Sequence, residues 1–595
     1  MLDPQSRAAL TQLLTPPSGF RLGHAVGTTF TLDLDTALTI PLSFAARRMT
    51  AEDDSLGILD AVRRAADRVD IFAQAGYVAI GFPPSDLVAF LEPMIHPVAM
   101  NTGVFHPKVW YLEFERDGER AYRFICASRN LTSDTSWDVV VALDGRLANP
   151  DQHSATRKVN APLVDLLTWL PRHTVHPLSS DRHTRINELA ERWETVVWDT
   201  PQDMRNLRFH VWGVGPRPTP DFSGKRALIM SPFLTDDGVS MLTRDVRVTT
   251  HVVSRPESID ALTPRSITTR QRTTSVLSDA ASPDQDGNDA QDDTGQLRLA
   301  GLHAKTYVFD RLDGAHVFLG SLNATGSAFH RNVEVMVEIV GSVRAFGVEA
   351  IREGLGDFLD EYVPSEVLAA TDDEKSDRDL SRALARIAAT PFHARVTDGN
   401  PYSLAYWTES EAIAPADVEL SWRPLTRSGL AIAGLPAAEH DPSIIDDLAL
   451  ADISPFIVVS ARDARGERSE QRTLVLAHLH DDPAHRHDAI IASHLTDRAA
   501  FLRFLMLLLE LGGTLPSSGT GGTWALAGNT AAQGVGLFES LMKAVGRGQS
   551  GLADVERIVR LLEDQQETDT IPPGFSDLWS AVWSAHTLIE GERRD

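Results

Sequence analysis

Cysteine is almost missing from this sequence: Cys126 is the only one in 595 residues. A single thiol excludes an intramolecular disulfide and fits a reducing compartment. Long apolar runs are missing as well. The longest apolar block, FLRFLMLLLELGG at 501–513, carries Arg503 and Glu510. It falls short of the roughly 18 apolar residues that a bilayer span requires, and reads as a buried helix. The opening residues, MLDPQSRAALTQLLTPP, lack the basic start and continuous apolar stretch of a secretory signal. These absences predict a cytoplasmic protein with no stable membrane association. Positive charge is also scarce, with 56 Lys and Arg against 82 Asp and Glu and a net charge of −26. That balance argues against wrapping of a polyanion by the whole surface, so any nucleic acid has to meet a local basic patch.

What is present looks like a soluble globular chain, 43% hydrophobic and 23% charged, with room for roughly three or four ordinary domains. TFTLDLDTALTIPLSFA at 29–45 and VDIFAQAGYVAI at 69–80 read as strands, with LGILDAVRRAADR at 56–68 between them as an amphipathic helix. Later, KRALIMSPFL and VRVTTHVVSRPES read as strands on either side of the helix-like TDDGVSMLTR. Strand, helix and strand thus occur twice, which predicts an α/β fold built by internal duplication.

After each of these units comes the same order of chemical types. The first copy is GVFHPKVWYLEFERDGERAYRFICASRNLTSDTSWDVVVAL, and the second is GLHAKTYVFDRLDGAHVFLGSLNATGSAFHRNVEVMVEI. In the second, His303 and Lys305 lie two apart, so on a strand both side chains face one side of the sheet. Ser321 and Asn323 follow across the turn RLDGA, and then Glu334. The corresponding residues of the first copy are His106 and Lys108, Ser128 and Asn130, and Asp138.

Paired imidazoles, ammonium groups and amides suit phosphoryl transfer without a metal. One histidine attacks phosphorus and the other protonates the leaving oxygen. Two lysines and two asparagines hold the nonbridging oxygens in a preorganised positive field. A carboxylate behind each imidazole fixes its tautomer; Glu334 and Asp138 are the candidates. The arrangement requires no cofactor and no metal ligand set.

At these residues the sequence resembles the phospholipase D superfamily, whose signature is His-x-Lys-x4-Asp, then Gly-Ser-x-Asn, then Asn-x-Glu at a variable distance. The second copy carries His303, Lys305, Asp310, Gly320, Ser321, Asn323, Asn332 and Glu334. The first departs from the pattern, with Glu113 in place of the Asp, ASRN at 127–130, and Asp138 in place of the final Glu. The similar tyrosyl-DNA phosphodiesterases dispense with the first Asp, so Glu113 does not by itself imply inactivity. The resemblance covers roughly residues 20–365. It implies two α/β halves with mixed sheets flanked by helices, related by a pseudo-twofold axis, with one active site at their junction. A covalent phosphohistidine is then resolved by water or an alcohol. By analogy His106 is the nucleophile and His303 the general acid. One chain with two motifs builds the site alone, and a higher oligomer is compatible with that.

The domain reading that follows is a first half at 1–200, a second half at 201–365 and a charged linker at 366–385. A β-rich accessory domain at 386–495 and a helical C-terminal module at 496–595 complete it. In ADVERIVRLLED the apolar residues Val555, Ile558, Val559 and Leu562 share one face. The acidic stretch 273–297, with six Asp and no Lys or Arg, has the composition of a disordered insertion between strands. HLHDDPAHRHDAIIASH at 478–494 reads as a solvated loop, with metal binding by His478, His480, His485, His487 and His494 as the alternative. SSGTGGTWALAGN at 517–529 lacks the Lys and Ser/Thr ending of a phosphate loop. Arg255 and the AARR at 45–48 read as surface arginines, with a contribution of substrate-binding cations as the alternative.

For substrate, a nuclease or DNA-end phosphodiesterase fits a chain without signal, lipid anchor or basic amphipathic helix. A phospholipase or phosphatidyl transferase more often shows secretion or membrane contact, and a noncatalytic nucleic-acid-binding scaffold is the third class. Resemblance to prokaryotic stand-alone members of the superfamily implies a place in a DNA-processing or anti-phage system, with a helicase or other defence protein as partner.

Overall fold

The computed structural model describes residues 10–45, 65–79, 81, 86–133, 136–267, 271–278, 301–365, 372–409, 418–463, 470–493, 551–564, 571 and 575–592. Most of the helix expected at 56–68, the AARR arginines after Ala45, the blocks at 501–513 and 517–529, and His494 lie outside these residues.

Two sheets of one design form the centre of the molecule. The first contains β1 (Arg21–Thr29), β2 (Val69–Gln74), β3 (Ile95–Val98), β4 (Val109–Arg116), β5 (Glu119–Ala127), β6 (Val140–Leu147) and β7 (Val196–Trp198), in the order β3-β2-β1-β4-β5-β6-β7. The second contains β8 (Met204–Trp212), β9 (Gly224–Met230), β10 (Val246–Val253), β11 (Arg272–Leu277), β12 (Thr306–Arg311), β13 (Gly314–Gly320), β14 (Glu334–Gly341) and β15 (Leu359–Glu361). Its order is β8-β14-β13-β12-β9-β10-β11-β15. Six strands correspond one to one, from β1 with β9 through to β6 with β14. In each sheet the first pair is parallel, Ala25 opposite Val69 and Leu228 opposite His251. In each, the next neighbour is antiparallel, Val26 opposite Tyr111 and Leu228 opposite Val308. The duplication read in the sequence is therefore a duplication of mixed α/β sheets.

Local chemistry explains the elements. VDIFAQ of β2 is buried at all six positions, as a parallel strand covered on both faces requires. The β4–β5 hairpin turns through Asp117 and Gly118, both at positive φ, the backbone a two-residue Asp-Gly hairpin needs. The strand expected at 29–45 is corrected: β1 ends at Thr29, and Leu34–Ala45 is a helix. Asp33 caps it, accepting from the Asp35 backbone and the Thr36 hydroxyl, and Leu34, Ala37 and Ile40 point inward at helical spacing.

The halves share one apolar core. Cys126, Val141, Trp193 and Trp198 of the first pack with Phe209, Leu319, Val335 and Val337 of the second. Cys126 is buried there and its thiol is pushed up to about 12, chiefly by desolvation, which leaves it inert as a nucleophile.

Residues 366–385, expected as a linker, are corrected in part: Asp372–Ala388 is a helix. Leu380, Ala383, Leu384 and Ile387 form a buried stripe, while Arg378, Asp379, Arg382 and Arg386 are exposed. The β-rich region beyond it contains two four-stranded sheets. It is joined to the first half through Leu425, Phe456, Val458 and Leu474, which pack with Leu14, Leu34 and Val88. A buried ion pair adds to this, with Arg486 Nη2 2.6 Å from Glu92 Oε2. The solvated-loop reading of 478–494 is also corrected: His478–His480 is a strand and Arg486–Ser493 a helix. Of the expected insertion, residues 273–277 belong to β11, paired with β10 and β15; most of the rest lies outside the described residues. Val555, Val559 and Leu562 are buried on the helix Gly551–Asp564. Among the described residues no helix is long and apolar enough to cross a membrane, and no group of three or more His, Cys, Asp or Glu is placed to hold a metal ion.

Candidate active site

Each His-x-Lys segment lies in the extended lead-in to its strand rather than on the strand itself, before β4 and before β12. Each lead-in crosses to the other half. Phe105 bridges Val333, and Leu302 bridges Trp137. The His106 amide donates to the Val333 carbonyl at 3.0 Å, and the His303 amide to the Trp137 carbonyl at 2.8 Å. The residue after each acceptor is a carboxylate, Glu334 or Asp138. Thus the strand that carries a carboxylate delivers it toward the histidine of the opposite half. Close approach is needed for this: Gly103 has φ 71°, and a Cβ there would stand 2.1 Å from the Arg331 carbonyl oxygen.

His106 takes up the pairing fully. Its Nδ1 lies 2.8 Å from Glu334 Oε2. The Ser321 hydroxyl donates to the same oxygen, and Asn332 Nδ2 donates to Oε1 at 3.1 Å. Ser321 and Asn332 both donate to this carboxylate, which favours its acceptor form; the tautomer assigned on that ground has the proton on Nδ1 of His106 and a lone pair on Nε2. The carboxylate that stands behind His106 thus comes from the opposite half. The Ser128 hydroxyl accepts the Val139 amide just as Ser321 accepts that of Val335. Asp138, one methylene shorter than Glu334, stands 3.9 Å from Arg129 Nε. His303 Nδ1 is buried without a hydrogen-bond partner among the described residues.

Both lysines are buried and turn back on their own segments. Lys108 Nζ donates to the His106 carbonyl at 3.0 Å, and Lys305 Nζ to that of His303 at 2.8 Å. Lys305 also reaches the Ser128 carbonyl of the other half at 3.5 Å. Asn130 Oδ1 and Asn323 Oδ1 are buried with no partner among the described residues, as amides awaiting a polar ligand would be.

Burial works against charge on every one of these groups. It pushes Lys108 down to about 7 despite Glu334, and Lys305 well below the lysine range with help from Lys108. Burial, then the two lysines, holds both imidazoles far below their usual value. Glu334 is raised to about 8 by burial against the pull of Lys108 and its hydrogen bonds; the Ser321 and Asn332 donors favour its acceptor form. An anion placed between the lysines reverses the shifts on both of them.

Glu113 and Asp310 occupy equivalent positions away from the histidines, as braces. Glu113 takes Arg192 with two nitrogens, at 2.7 and 3.2 Å. Asp310 accepts the Val348 amide, at the start of a helix, and pairs with Arg226.

Arg255 is not a surface residue. It is 7% exposed, its Nε donates to the Leu302 carbonyl at 3.0 Å, and its charge acts on His303 and Lys305. Gln74, at the equivalent end of β2, accepts the Phe105 amide at 2.7 Å. Each therefore holds the residue preceding a histidine. Gln74 carried no sequence signal beyond its position at a strand end.

Two α/β halves of one strand order, meeting at a pair of His-x-Lys segments with their Ser-x-Asn and carboxylate companions, define a phospholipase D-like fold. No family model and no curated protein sequence matches the chain. Among solved structures it is similar to phosphatidylserine synthase of Haemophilus influenzae Rd KW20, at 11% identity over 59% of this chain and 84% of that one, with a TM-score of 0.32. It is similar to yeast tyrosyl-DNA phosphodiesterase at 11% identity, over 57% and 87%, with a TM-score of 0.31. Polyphosphate kinase of Porphyromonas gingivalis matches at 11% identity over 55% and 42%, with a TM-score of 0.26.

Proposed function

We propose that this chain is a phosphodiesterase that cleaves nucleic acid, DNA in the first place, through a phosphohistidine on His106. The observation that carries the reading is the cross-half pair His106–Glu334 beside two buried lysines. Nε2 of His106 attacks phosphorus while Lys108, Lys305, Asn130 and Asn323 hold the nonbridging oxygens. The P–O bond to the leaving group breaks, and that oxygen takes a proton from Nε2 of the His303 imidazolium, the form that the phosphodiester anion bound beside it favours over the neutral ring, leaving a neutral imidazole. In the second step His303 accepts a proton from water, whose oxygen attacks phosphorus, and the P–N bond breaks. The Glu334 carboxylate stabilises the imidazolium character that develops on His106 as it attacks. A DNA-processing partner such as a helicase is part of the same proposal and rests on the family resemblance.

The test is incubation of the purified protein with labelled single-stranded and duplex DNA, RNA and phosphatidylcholine in excess EDTA. DNA cleavage that persists in EDTA and is lost in His106→Ala and His303→Ala is the expected result. Loss of cleavage in EDTA removes the metal-free mechanism, turnover of lipid alone removes the nucleic-acid assignment, and binding without turnover leaves a scaffold.

A further inference from the structure

Large aromatic side chains stand around the site where the core does not require them. Phe30, directly after β1, is half-buried; its ring centroid lies 4.2 Å from that of Tyr77 and 5.2 Å, edge-on, from that of His106. Lys108 Nζ is 5.9 Å from the same ring. On the other side Phe233, just after β9, is 42% exposed although its neighbour Leu234 is 6% exposed. Beneath it the Arg255 guanidinium lies 5.2 Å from the ring centroid, and Arg255 in turn holds Leu302, next to His303.

The two aromatic positions belong to equivalent loops. Thr29 and Ser231 each accept a backbone amide from the Ser-x-Asn loop, that of Leu131 or Ala324, at 3.0 Å. Each donates its hydroxyl to the carbonyl two residues on, Thr31 or Phe233. Leu32 then bridges Leu131, and Leu234 bridges Ala324. In this register Phe30 corresponds to Pro232 and Phe233 to Thr31, one residue apart; Phe30 stands against His106, and Phe233 stands over Arg255, which holds the residue before His303.

We propose that Phe30 with Tyr77, and Phe233 backed by Arg255, are platforms on which the nucleobases flanking the scissile phosphate stack, so that the substrate is an unpaired strand. This rests on the nucleic-acid reading of the site. Every base has a π-face, so such platforms give affinity without base preference. The guanidinium under Phe233 fixes the ring and adds a cation beside the strand. Bases within a duplex are stacked on one another and offer no free face to either platform.

The test uses a single-stranded oligonucleotide in which every linkage but one is an uncleavable methylphosphonate. The nucleosides flanking that one phosphodiester are either thymidines or abasic sugars. The wild-type protein is expected to cleave the thymidine strand with kcat/KM about tenfold or more above the abasic strand, as a stacked base contributes. Phe233→Leu is expected to lower that ratio by about fivefold or more, the share of one stacked base, and to leave the share of the Phe30 platform; Phe233→Trp keeps the ratio, and annealing a complement slows the wild type to the abasic level. Equal kcat/KM on thymidine and abasic strands in the wild type, or an unchanged ratio in Phe233→Leu of native melting temperature, overturns the stacking platforms while leaving the nuclease reading standing. Turnover of phosphatidylcholine vesicles with no cleavage of any oligonucleotide overturns both.

Discussion

Nδ1 of His106 lies 2.8 Å from Oε2 of Glu334, a residue 228 positions away in the other half of the chain. Neither half is a complete device: the imidazole comes from one copy of the repeat and the group that orients it from the other. The site therefore exists only when both sheets are docked.

Glu334→Gln preserves volume and removes the carboxylate that keeps the proton on Nδ1. The expected result is a fall in kcat on the order of 10²- to 10⁴-fold, the range associated with loss of acid–base positioning. It is read with a chromogenic aryl phosphodiester and checked by a melting temperature close to the native one. A change in kcat within about twofold would show that the pairing does not orient the nucleophile.

His106→Ala and His303→Ala are expected to differ. A p-nitrophenolate leaving group needs no proton, so a p-nitrophenyl phosphodiester still phosphorylates His106 in His303→Ala, forming the P–N bond as p-nitrophenolate leaves, and the adduct accumulates. Intact-mass spectrometry after an alkaline quench detects it. His106→Ala forms none. An adduct in His106→Ala instead would exchange the two roles.

Lys108 is held at about 7 by burial, so in the free protein its ammonium is present below that pH and lost above it. A phosphodiester anion prefers the ammonium form. The expected kcat/KM therefore falls as pH rises through about 7, while His106, depressed well below its usual range, stays unprotonated across the same window. Inorganic phosphate binding at about pH 8 takes up on the order of one to two protons per site, because Lys305 is depressed as well. Titration calorimetry in two buffers of different ionisation enthalpy reads that uptake, and none would be seen if both lysines were already charged.

Asp138→Glu extends the first-half carboxylate by the methylene that distinguishes it from Glu334. By the pseudo-twofold relation its oxygen moves toward His303 Nδ1, which has no partner among the described residues. A carboxylate there favours imidazolium, so the limb of the pH–rate profile due to His303 shifts to higher pH. An unmoved limb counts against equivalence of the two carboxylate positions.

Arg486→Leu leaves Glu92 buried and unpaired. Both side chains are at most 6% exposed, and removal of one partner from such a pair costs about 3–5 kcal/mol. Denaturant titration measures the loss. Because Leu425, Phe456, Val458 and Leu474 share a core with the first half, the wild type is expected to lose both regions in one transition.

Much of this was legible from residue types. The repeated order His-x-Lys, Ser-x-Asn, carboxylate announced two equivalent halves, and the turn RLDGA announced the hairpin between β12 and β13. Other readings failed where local pattern was ambiguous. The alternation in TFTLDLDT suggested a strand, but Asp33 caps a helix there. The charge in DDEKSDRD hid the buried stripe that follows it, and Arg255 had no local feature to distinguish it from a surface cation.

The sequence by itself determined which chemical groups each half contributes, because identity and short spacing are properties of the chain. Only the tertiary structure decided which carboxylate serves which histidine. Ser321 and Asn332 are near Glu334 along the chain, and spacing alone would have assigned that carboxylate to His303 of the same segment. The shared core of the two sheets instead brings Phe105 against Val333 and Leu302 against Trp137. Across that junction Glu334 reaches His106 Nδ1, whereas Asp138 stands 3.9 Å from Arg129 Nε.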